Sequence, residues 1–88
     1  MGIGPAVAIP MALEKAGLEV KDIDVWEVNE AFASQATYCV EKLKIPKDKL
    51  NRRGGAIALG HPLGMTGARM VSTLYSEMER TNEKVGVI

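Results

Sequence analysis

The chain has 88 residues, enough for at most one small domain, and its hydrophobic content of 47% excludes the disordered class. The 11 Lys and Arg residues balance the 11 Asp and Glu residues, so the sequence has neither a basic surface for nucleic acid nor an acidic tail. No apolar run is long enough to span a bilayer, and neither end carries a recognised targeting signal. We therefore expect no nucleic-acid partner and no membrane partner.

The first predicted element is a helix that begins near Pro5, where the missing N–H of proline costs nothing. Apolar residues follow at helical spacing, and a glycine suits the C-terminal cap: Ala6, Ile9, Leu13, Ala16 and then Gly17. Pro10 conflicts with this pattern because its ring removes a hydrogen bond in mid-helix. We therefore expect a bend at Pro10 or a helix that begins later.

A strand and a second helix follow along the chain. Residues 25–28, Val-Trp-Glu-Val, predict a mostly buried strand because they are rich in β-branched and aromatic side chains. Residues 30–44 predict the clearest helix, with Asn29 as a candidate N-cap, Glu30 at its positive end and Pro46 as its stop. The predicted buried stripe of that helix consists of Phe32, Ala36, Cys39 or Val40, and Leu43.

A glycine-rich loop over residues 54–69 carries the one histidine of the chain, His61. Glycine is used where φ is unusual or where another group comes close to the backbone, so we expect a crowded loop around one titratable side chain. Pro62 can open a long helix that ends near residues 81–82. Gly64 and Gly67 would weaken that helix by about 1 kcal/mol each, which predicts that another group presses against them. The predicted apolar positions of this helix are Ala68, Val71, Leu74 or Tyr75, and Met78.

The last predicted element is a buried strand over residues 84–88. The order helix, strand, helix, loop, helix, strand is typical of an α/β layered fold. Two strands make a poor sheet alone, so we expect the chain to be part of a larger α/β architecture.

Two side chains are candidates for chemistry. A lone histidine is more often structural, but the glycine-lined loop leaves His61 room for a substrate, and a neutral imidazole can act as a base or donate to an oxyanion. Asn29 is either a plain helix cap or a site residue, because ligands collect at the C-terminal ends of strands in open α/β sheets. A full predicted helix separates the two residues, so only the fold can bring them together.

The sequence disfavours other kinds of site. The one cysteine, Cys39, lies on a predicted buried stripe and is interpreted as core; it cannot form an internal disulfide, which suits a reducing compartment. One histidine and no carboxylate–cysteine cluster argue against a metal site. The glycine loop lacks the Gly-Lys-Ser/Thr of a P-loop and the spacing of the dinucleotide fingerprint.

Two motifs, in this order and at this spacing, resemble those of the thiolases, the acetyl-CoA acyltransferases. Residues 29–33, Asn-Glu-Ala-Phe-Ala, are similar to the thiolase Asn-Glu-Ala-Phe motif, and residues 54–69 resemble the signature around the thiolase catalytic histidine. The resemblance covers residues 1–88, which we interpret as a partial thiolase C-terminal domain: an α/β chain forming the incomplete C-terminal half of a layered αβα fold. Residues 35–43 look most like the peroxisomal 3-ketoacyl-CoA thiolases of fatty-acid β-oxidation.

The resemblance implies acyl transfer between a 3-ketoacyl-CoA and CoA, by thiolytic cleavage or by the reverse Claisen condensation. The residue matching His61 would activate a nucleophilic cysteine and donate to the oxyanion, and the residue matching Asn29 would hold a water in the same oxyanion hole. Phe32 and Gly60 match substrate-binding positions, Phe32 in the pantetheine tunnel. The resemblance further implies no metal and no cofactor, CoA and acyl-CoA as substrates, a homodimer or tetramer at full length, and a peroxisomal location.

The same resemblance places both thiolase cysteines outside this chain. The nucleophile belongs to the N-terminal half, the second cysteine would follow Ile88 in a Cys-x-Gly-x-Gly loop, and Cys39 matches neither. Because covalent catalysis needs its nucleophile, we expect the isolated chain, as a fragment, to be inactive. Two alternatives remain open. One is a truncated isoform that acts as a non-catalytic interaction module. The other is a ketoacyl-synthase-type condensing enzyme, against which Asn29 argues because those enzymes have a histidine there.

Overall fold

The structure is a computed structural model, and it describes residues 2–88. Its elements are four α-helices, two short parallel strands and two 3₁₀ turns. In chain order they are α1 (Gly4–Ala16), a 3₁₀ turn (Val20–Asp22), β1 (Val25–Trp26), α2 (Ala33–Leu43), a 3₁₀ turn (Lys47–Lys49), α3 (Ala56–Leu59), α4 (Thr66–Thr81) and β2 (Gly86–Val87). The predicted order of helices and strands is confirmed, with α3 as an addition inside the glycine-rich loop.

The sheet consists of β1 and β2, which pair in parallel with Val25 opposite Gly86 and Trp26 opposite Val87. The carboxylate of Asp24 accepts the N–H groups of Lys84 and Val85 at 3.0 Å each, which fixes the register where the two strands begin. The predicted strand over residues 25–28 is paired for only half its length, yet all four residues are buried. The sheet is as small as the sequence predicts.

The hydrophobic core lies between the sheet and helices α1 and α2. Trp26, Ile23, Val25 and Cys39 are fully buried. The principal cluster combines residues of α1, β1 and α2 with residues that flank β1 and α2: Ile9, Leu13, Ile23, Trp26, Val28, Val40 and Ile45. The interpretation of Cys39 as a core residue is confirmed.

Helix α1 begins at Gly4 and continues through Pro10, so the expectation of a late start is wrong. Pro10 lies on the exposed side, where the carbonyl of Ala6, which loses its helical partner to the proline ring, can reach water. The predicted C-terminal cap is confirmed, because Gly17 adopts the left-handed conformation with φ of 67°.

Helix α2 begins three residues later than predicted, at Ala33, and its N-cap residue is Phe32 rather than Asn29. The side chain of Gln35 accepts the Phe32 N–H at 3.5 Å, while Asn29 is engaged elsewhere. The side chain of Phe32 is 61% exposed, so its assignment to the buried stripe is wrong. The residues that this helix buries are Gln35, Cys39 and Val40.

Helix α4 begins at Thr66, not at Pro62, and it ends as predicted at Thr81, with Asn82 as a left-handed cap. Gly64 explains the late start, because its φ of 74° is incompatible with a right-handed helix. The helix buries Met70 and Glu77. The predicted core position Val71 is exposed, and of the two alternatives Leu74 is partly buried and Tyr75 is exposed. Among residues 2–88, no helix combines the length and the apolar character that crossing a membrane requires.

Candidate active site

The fold brings together Asn29 and His61, which lie 32 positions apart in the sequence. Nδ2 of Asn29 is 3.4 Å from Nε2 of His61. Asn29 follows the buried segment that begins with β1 and is partly buried, whereas His61 is exposed in the middle of the glycine-rich loop. An amide beside an imidazole combines a fixed polar group with one that can accept or release a proton.

The second ring nitrogen of His61, Nδ1, hydrogen-bonds Oγ1 of Thr66, the first residue of α4. Two glycines with positive φ flank this turn, Gly60 at 96° and Gly64 at 74°. These conformations return the backbone toward the start of α4, so that a residue five positions later can contact the imidazole. The predicted role of Pro62 as the first helical residue is replaced by a turn, in which its carbonyl accepts the Met65 N–H at 3.2 Å.

Glu30 connects the Asn29 segment to the glycine-rich loop. Its Oε2 atom accepts the N–H of Ile57 at 3.0 Å, and its Oε1 atom lies 3.4 Å from Nδ2 of Asn51. A Cβ atom on Gly55 would lie 2.4 Å from the Glu30 carboxyl carbon, so the glycine leaves room for the carboxylate. The sequence places Glu30 at the positive end of α2, but the structure places its carboxylate at the first turn of α3.

Asn51 holds the segment that leads to Asn29. Its side chain accepts the N–H of Val28 and donates to the carbonyl of Val28, each at 2.9 Å, and its backbone N–H donates to the carbonyl of Trp26 at 2.8 Å. These bonds extend the sheet beside the unpaired end of β1. Sequence reasoning missed both Asn51 and Thr66. The signal for Asn51 is its residue type, because asparagine tolerates the positive φ (43°) found here.

Arg69 and Glu27 tie α4 to the strand segment that precedes Asn29. Nη1 of Arg69 lies 3.0 Å from Oε2 of Glu27, and both side chains are largely buried, with 13% and 3% exposed. Burial raises the pKa of Glu27, and the hydrogen bond from Arg69 opposes that change. Breaking a buried ion pair is costly because it leaves one charge uncompensated, so this contact fixes where α4 begins relative to Asn29.

A second group of charges holds the end of α4. Arg52 donates to Glu83 through Nη1 at 2.6 Å and Nη2 at 3.1 Å, and it lies 3.6 Å from Glu77. The hydrogen bond from Arg52 lowers the pKa of Glu83, and the hydrogen bond from Arg80 lowers that of Glu77. The side chains that contact His61 are those of Asn29 and Thr66, so this group takes no part in the His61 contacts and has a structural role.

The other two predicted substrate residues lie at different places. Gly60 directly precedes His61, but Phe32 lines a surface cavity of about 410 Å³ together with Ile3 and Tyr38. Asn29 lines a separate cavity of about 240 Å³. The structure therefore does not bring Phe32 and Asn29 into one cavity.

Neither a thiol nor a metal site accompanies the His61–Asn29 pair within residues 2–88. The thiol of Cys39 is fully buried in the core, with Gln35 and the carbonyl of Gly2 as its partners at 4.0 and 3.8 Å. In the same part of the chain, no three His, Cys, Asp or Glu side chains converge closely enough to hold a metal ion.

Comparison with known proteins identifies the family. The model of the thiolase C-terminal domain matches residues 1–88. The chain belongs to the thiolase family. The predicted resemblance, drawn from residues 29–33 and 54–69, is thereby confirmed.

Several peroxisomal thiolases are similar to this thiolase chain over its whole length. It is 64% identical to the human peroxisomal 3-ketoacyl-CoA thiolase over 89 residues and 67% identical to the mouse peroxisomal 3-ketoacyl-CoA thiolases A and B. The match covers 100% of this chain and 21% of each relative. The chain therefore spans about a fifth of the length of the curated relatives that it matches.

Solved thiolase structures share its fold. The peroxisomal 3-ketoacyl-CoA thiolase of Saccharomyces cerevisiae, a five-layered structure built from two core domains of identical topology, matches with a TM-score of 0.85 and 65% identity over 88% of this chain and 22% of that one. The Bacillus anthracis acetyl-CoA acetyltransferase matches with a TM-score of 0.94 and 43% identity over 98% of this chain and 22% of that one. The predicted layered α/β class is confirmed.

Proposed function

We propose that this chain supplies the histidine and the asparagine of a thiolase active site that transfers acyl groups between 3-ketoacyl-CoA and CoA. One observation carries the proposal: Nδ2 of Asn29 approaches Nε2 of His61 to 3.4 Å across 32 sequence positions. Neither residue belongs to the hydrophobic core, and neither is the cap of a helix. A partly buried amide beside an exposed imidazole is suited to chemistry on a bound substrate.

In the proposed mechanism, His61 acts first as a base and then as a hydrogen-bond donor. Nε2 accepts the proton of a cysteine thiol from the N-terminal half of the enzyme, and the sulfur attacks the substrate carbonyl. The resulting Nε2–H then donates to the oxyanion of the thioester or enolate. Asn29 holds a water that completes the oxyanion hole. Gly60 and Phe32 contribute to CoA binding, with Phe32 on the pantetheine side.

The isolated chain is expected to be inactive, because its one thiol, on Cys39, is fully buried in the core. The proposed substrates are acyl-CoA and CoA, and the proposed setting is fatty-acid β-oxidation in the peroxisome. Identity of 65% to a dimeric peroxisomal thiolase of Saccharomyces cerevisiae supports a homodimer for the complete enzyme; a tetramer is the alternative assembly. The proposed chemistry needs no metal and no cofactor.

Complementation tests the proposal. The chain alone should give no thiolytic cleavage of a 3-ketoacyl-CoA, whereas the chain mixed with purified thiolase segments that supply the N-terminal part and the Cys-x-Gly-x-Gly segment should turn over. His61→Ala and Asn29→Ala should abolish or strongly reduce the restored turnover. Lys42→Ala, on an exposed position of α2, is the matched control and should leave turnover unchanged. Turnover by the chain alone, or full turnover by His61→Ala, would contradict the proposal.

A non-catalytic interaction module is the second candidate, and one observation favours it. Helix α1 and its N-cap residue expose apolar side chains at a spacing of four residues: Ile3 (59% exposed), Val7 (54%) and Met11 (55%). Exposed apolar faces of this kind mark contact surfaces. If the chain binds full-length thiolase subunits in sedimentation experiments but restores no turnover, this candidate replaces the catalytic one. The match to a thiolase model gives no support to a ketoacyl-synthase-type enzyme.

A further inference from the structure

Both ring nitrogens of His61 have partners on separate elements. Nε2 faces Nδ2 of Asn29 at 3.4 Å, and Nδ1 hydrogen-bonds Oγ1 of Thr66. The mechanism proposed above uses Nε2 and Asn29 but gives Thr66 no role. An imidazole held at both nitrogens has a fixed ring orientation, and its proton is distributed according to what each partner can donate or accept.

The partners determine which nitrogen carries the proton of the neutral ring. In the orientation that the structure gives the Asn29 amide, Nδ2 faces the ring, and an amide nitrogen can only donate. Acceptance by Nε2 from this amide places the proton of the neutral ring on Nδ1 and makes the Thr66 oxygen its acceptor. We infer that Thr66 is a positioning residue that holds His61 in the Nδ1–H tautomer and so makes Nε2 the atom that exchanges protons during acyl transfer. This inference rests on the proposed function.

Thr66 is well placed for this role because its own position is fixed relative to Asn29. Arg69, one turn further along α4, pairs at 3.0 Å with Glu27, which lies two residues before Asn29. The ion pair thus connects the helix that carries Thr66 to the strand segment that carries Asn29. The imidazole lies between Thr66 and Asn29, on a loop whose glycines by themselves would leave its backbone flexible.

The Thr66 contact also suits the charged state of the ring. When Nε2 takes the proton of a thiol, the S–H bond breaks, its electron pair stays on sulfur, and both ring nitrogens then carry protons. Nδ1–H continues to donate to Oγ1 of Thr66, so this hydrogen bond persists when the charge appears, whereas Nε2–H and the Asn29 amide are then both donors and Nε2–H turns to the oxyanion. A pre-oriented acceptor lowers the free energy of the imidazolium without reorganisation.

Nuclear magnetic resonance on the 88-residue chain tests the tautomer directly, because His61 is its one histidine and gives a single set of ring ¹⁵N signals. We expect a protonated Nδ1 and an unprotonated Nε2 in the neutral ring. Thr66→Val, which keeps the shape and removes the hydroxyl, should shift the ring toward the Nε2–H tautomer, and Thr66→Ser should not. The chemical-shift dispersion of the backbone amide signals shows whether each variant is folded. An unchanged tautomer in Thr66→Val overturns the inference.

Kinetics provide a second test that does not depend on the isolated chain being folded. The enzyme is a chimera in which this chain replaces the matching segment of the Saccharomyces cerevisiae peroxisomal thiolase, to which it is 59% identical over 88 residues. Thr66→Val should lower kcat by about tenfold or more, because a misdirected tautomer impairs the base, and should change KM by less than about twofold. Thr66→Ser should restore kcat. Thr73→Val, which removes a hydroxyl from the same helix, is the control and should change neither constant.

The outcomes separate this inference from the proposed function. Equal kcat in Thr66→Val and the parent chimera, or equal losses in Thr66→Val and Thr66→Ser, would overturn the role of the hydroxyl while leaving His61 as the base. Full activity in a His61→Ala chimera would overturn the proposed function, whereas the ¹⁵N measurement would still decide whether Thr66 sets the tautomer.

Discussion

The carboxylate of Glu30 accepts the backbone N–H of Ile57 at 3.0 Å, and this contact joins the segment that carries Asn29 to the loop that carries His61. Glu30 directly follows Asn29, and Ile57 lies four residues before His61. The separation of the two site residues therefore depends on a contact in which neither takes part.

Glu30→Ala should destabilise the chain by about 1.5 kcal/mol, because it removes a charge-assisted hydrogen bond to a backbone donor. Hydrogen exchange should show the same loss locally, with the Ile57 amide exchanging faster. Gly55→Ala should have a similar effect, since its methyl group would occupy the position of the carboxylate. The double variant should then cost little more than either single change. Additive losses would show that the two residues act independently.

Asn51 offers a test of how the end of β1 is held. Asn51→Gly keeps the positive φ but removes both side-chain hydrogen bonds to Val28, so it should lower the free energy of unfolding by about 2 kcal/mol. Asn82 has a φ of 56° and makes no side-chain hydrogen bond within residues 2–88. Asn82→Gly is therefore the control, and urea denaturation should show a change of only a few tenths of a kcal/mol. Equal losses in the two variants would mean that backbone conformation, not the side chain of Asn51, dominates.

Stability should fall in acid because of Glu83. Its pKa in the folded chain lies below its ordinary value of 4.5, owing to the hydrogen bond from Arg52. The unfolded chain therefore binds more protons, so the stability from this pair is present above about pH 4.5 and is lost as the pH falls through the lower, folded value. Glu83→Gln should reduce the decrease in the midpoint temperature of thermal unfolding that acid causes. Glu79→Gln, at an exposed position of α4, should leave the pH dependence unchanged; identical profiles for both variants would exclude the Arg52 pair as its source.

Two glycines should respond to alanine in opposite directions. A Cβ atom on Gly86 would lie 2.8 Å from Leu74 Cδ2 and 2.8 Å from Met78 Sδ, so Gly86→Ala should destabilise the chain by about 1–3 kcal/mol through overpacking. No atom within residues 2–88 lies within 4 Å of a Cβ on Gly67, and Gly67→Ala should stabilise α4 by up to about 1 kcal/mol. Thermal unfolding of the isolated chain measures both. A loss for Gly67→Ala would contradict the open space at this position.

The sequence predicts the elements better than it predicts their ends. Residues 25–28 are buried as their composition indicates, and Gly17 caps α1, because burial of apolar residues and glycine at a helix end are local effects. The starts of α2 and α4 could not be predicted, because Asn29 and Pro62 are local signals for an earlier start. The observed starts are set instead by the contact of Gln35 with the N–H of Phe32 and by the positive φ of Gly64.

The site shows the same division between local and long-range information. His61 and Asn29 were identified as candidates from their loop and strand-end positions, and the fold brings them together. Thr66 and Asn51 were not identified, because hydroxyl and amide side chains are common in turns and nothing local marks which will meet a distant group. The expectation that a group presses on Gly64 and Gly67 is not met within residues 2–88, where Gly64 serves the backbone conformation instead.

The pairing of β1 with β2 has a consequence for how the chain reaches its folded state. The carboxylate of Asp24 bonds the N–H of Val85, 61 positions away, so the sheet can form only after a long segment has closed into a loop. Closing such a long loop costs conformational entropy before the favourable strand contacts can form. Helices α1, α2 and α4 can begin to form locally, whereas the sheet must wait for a late encounter. Asn29, which follows β1, should therefore reach its final place beside His61 among the last events of folding.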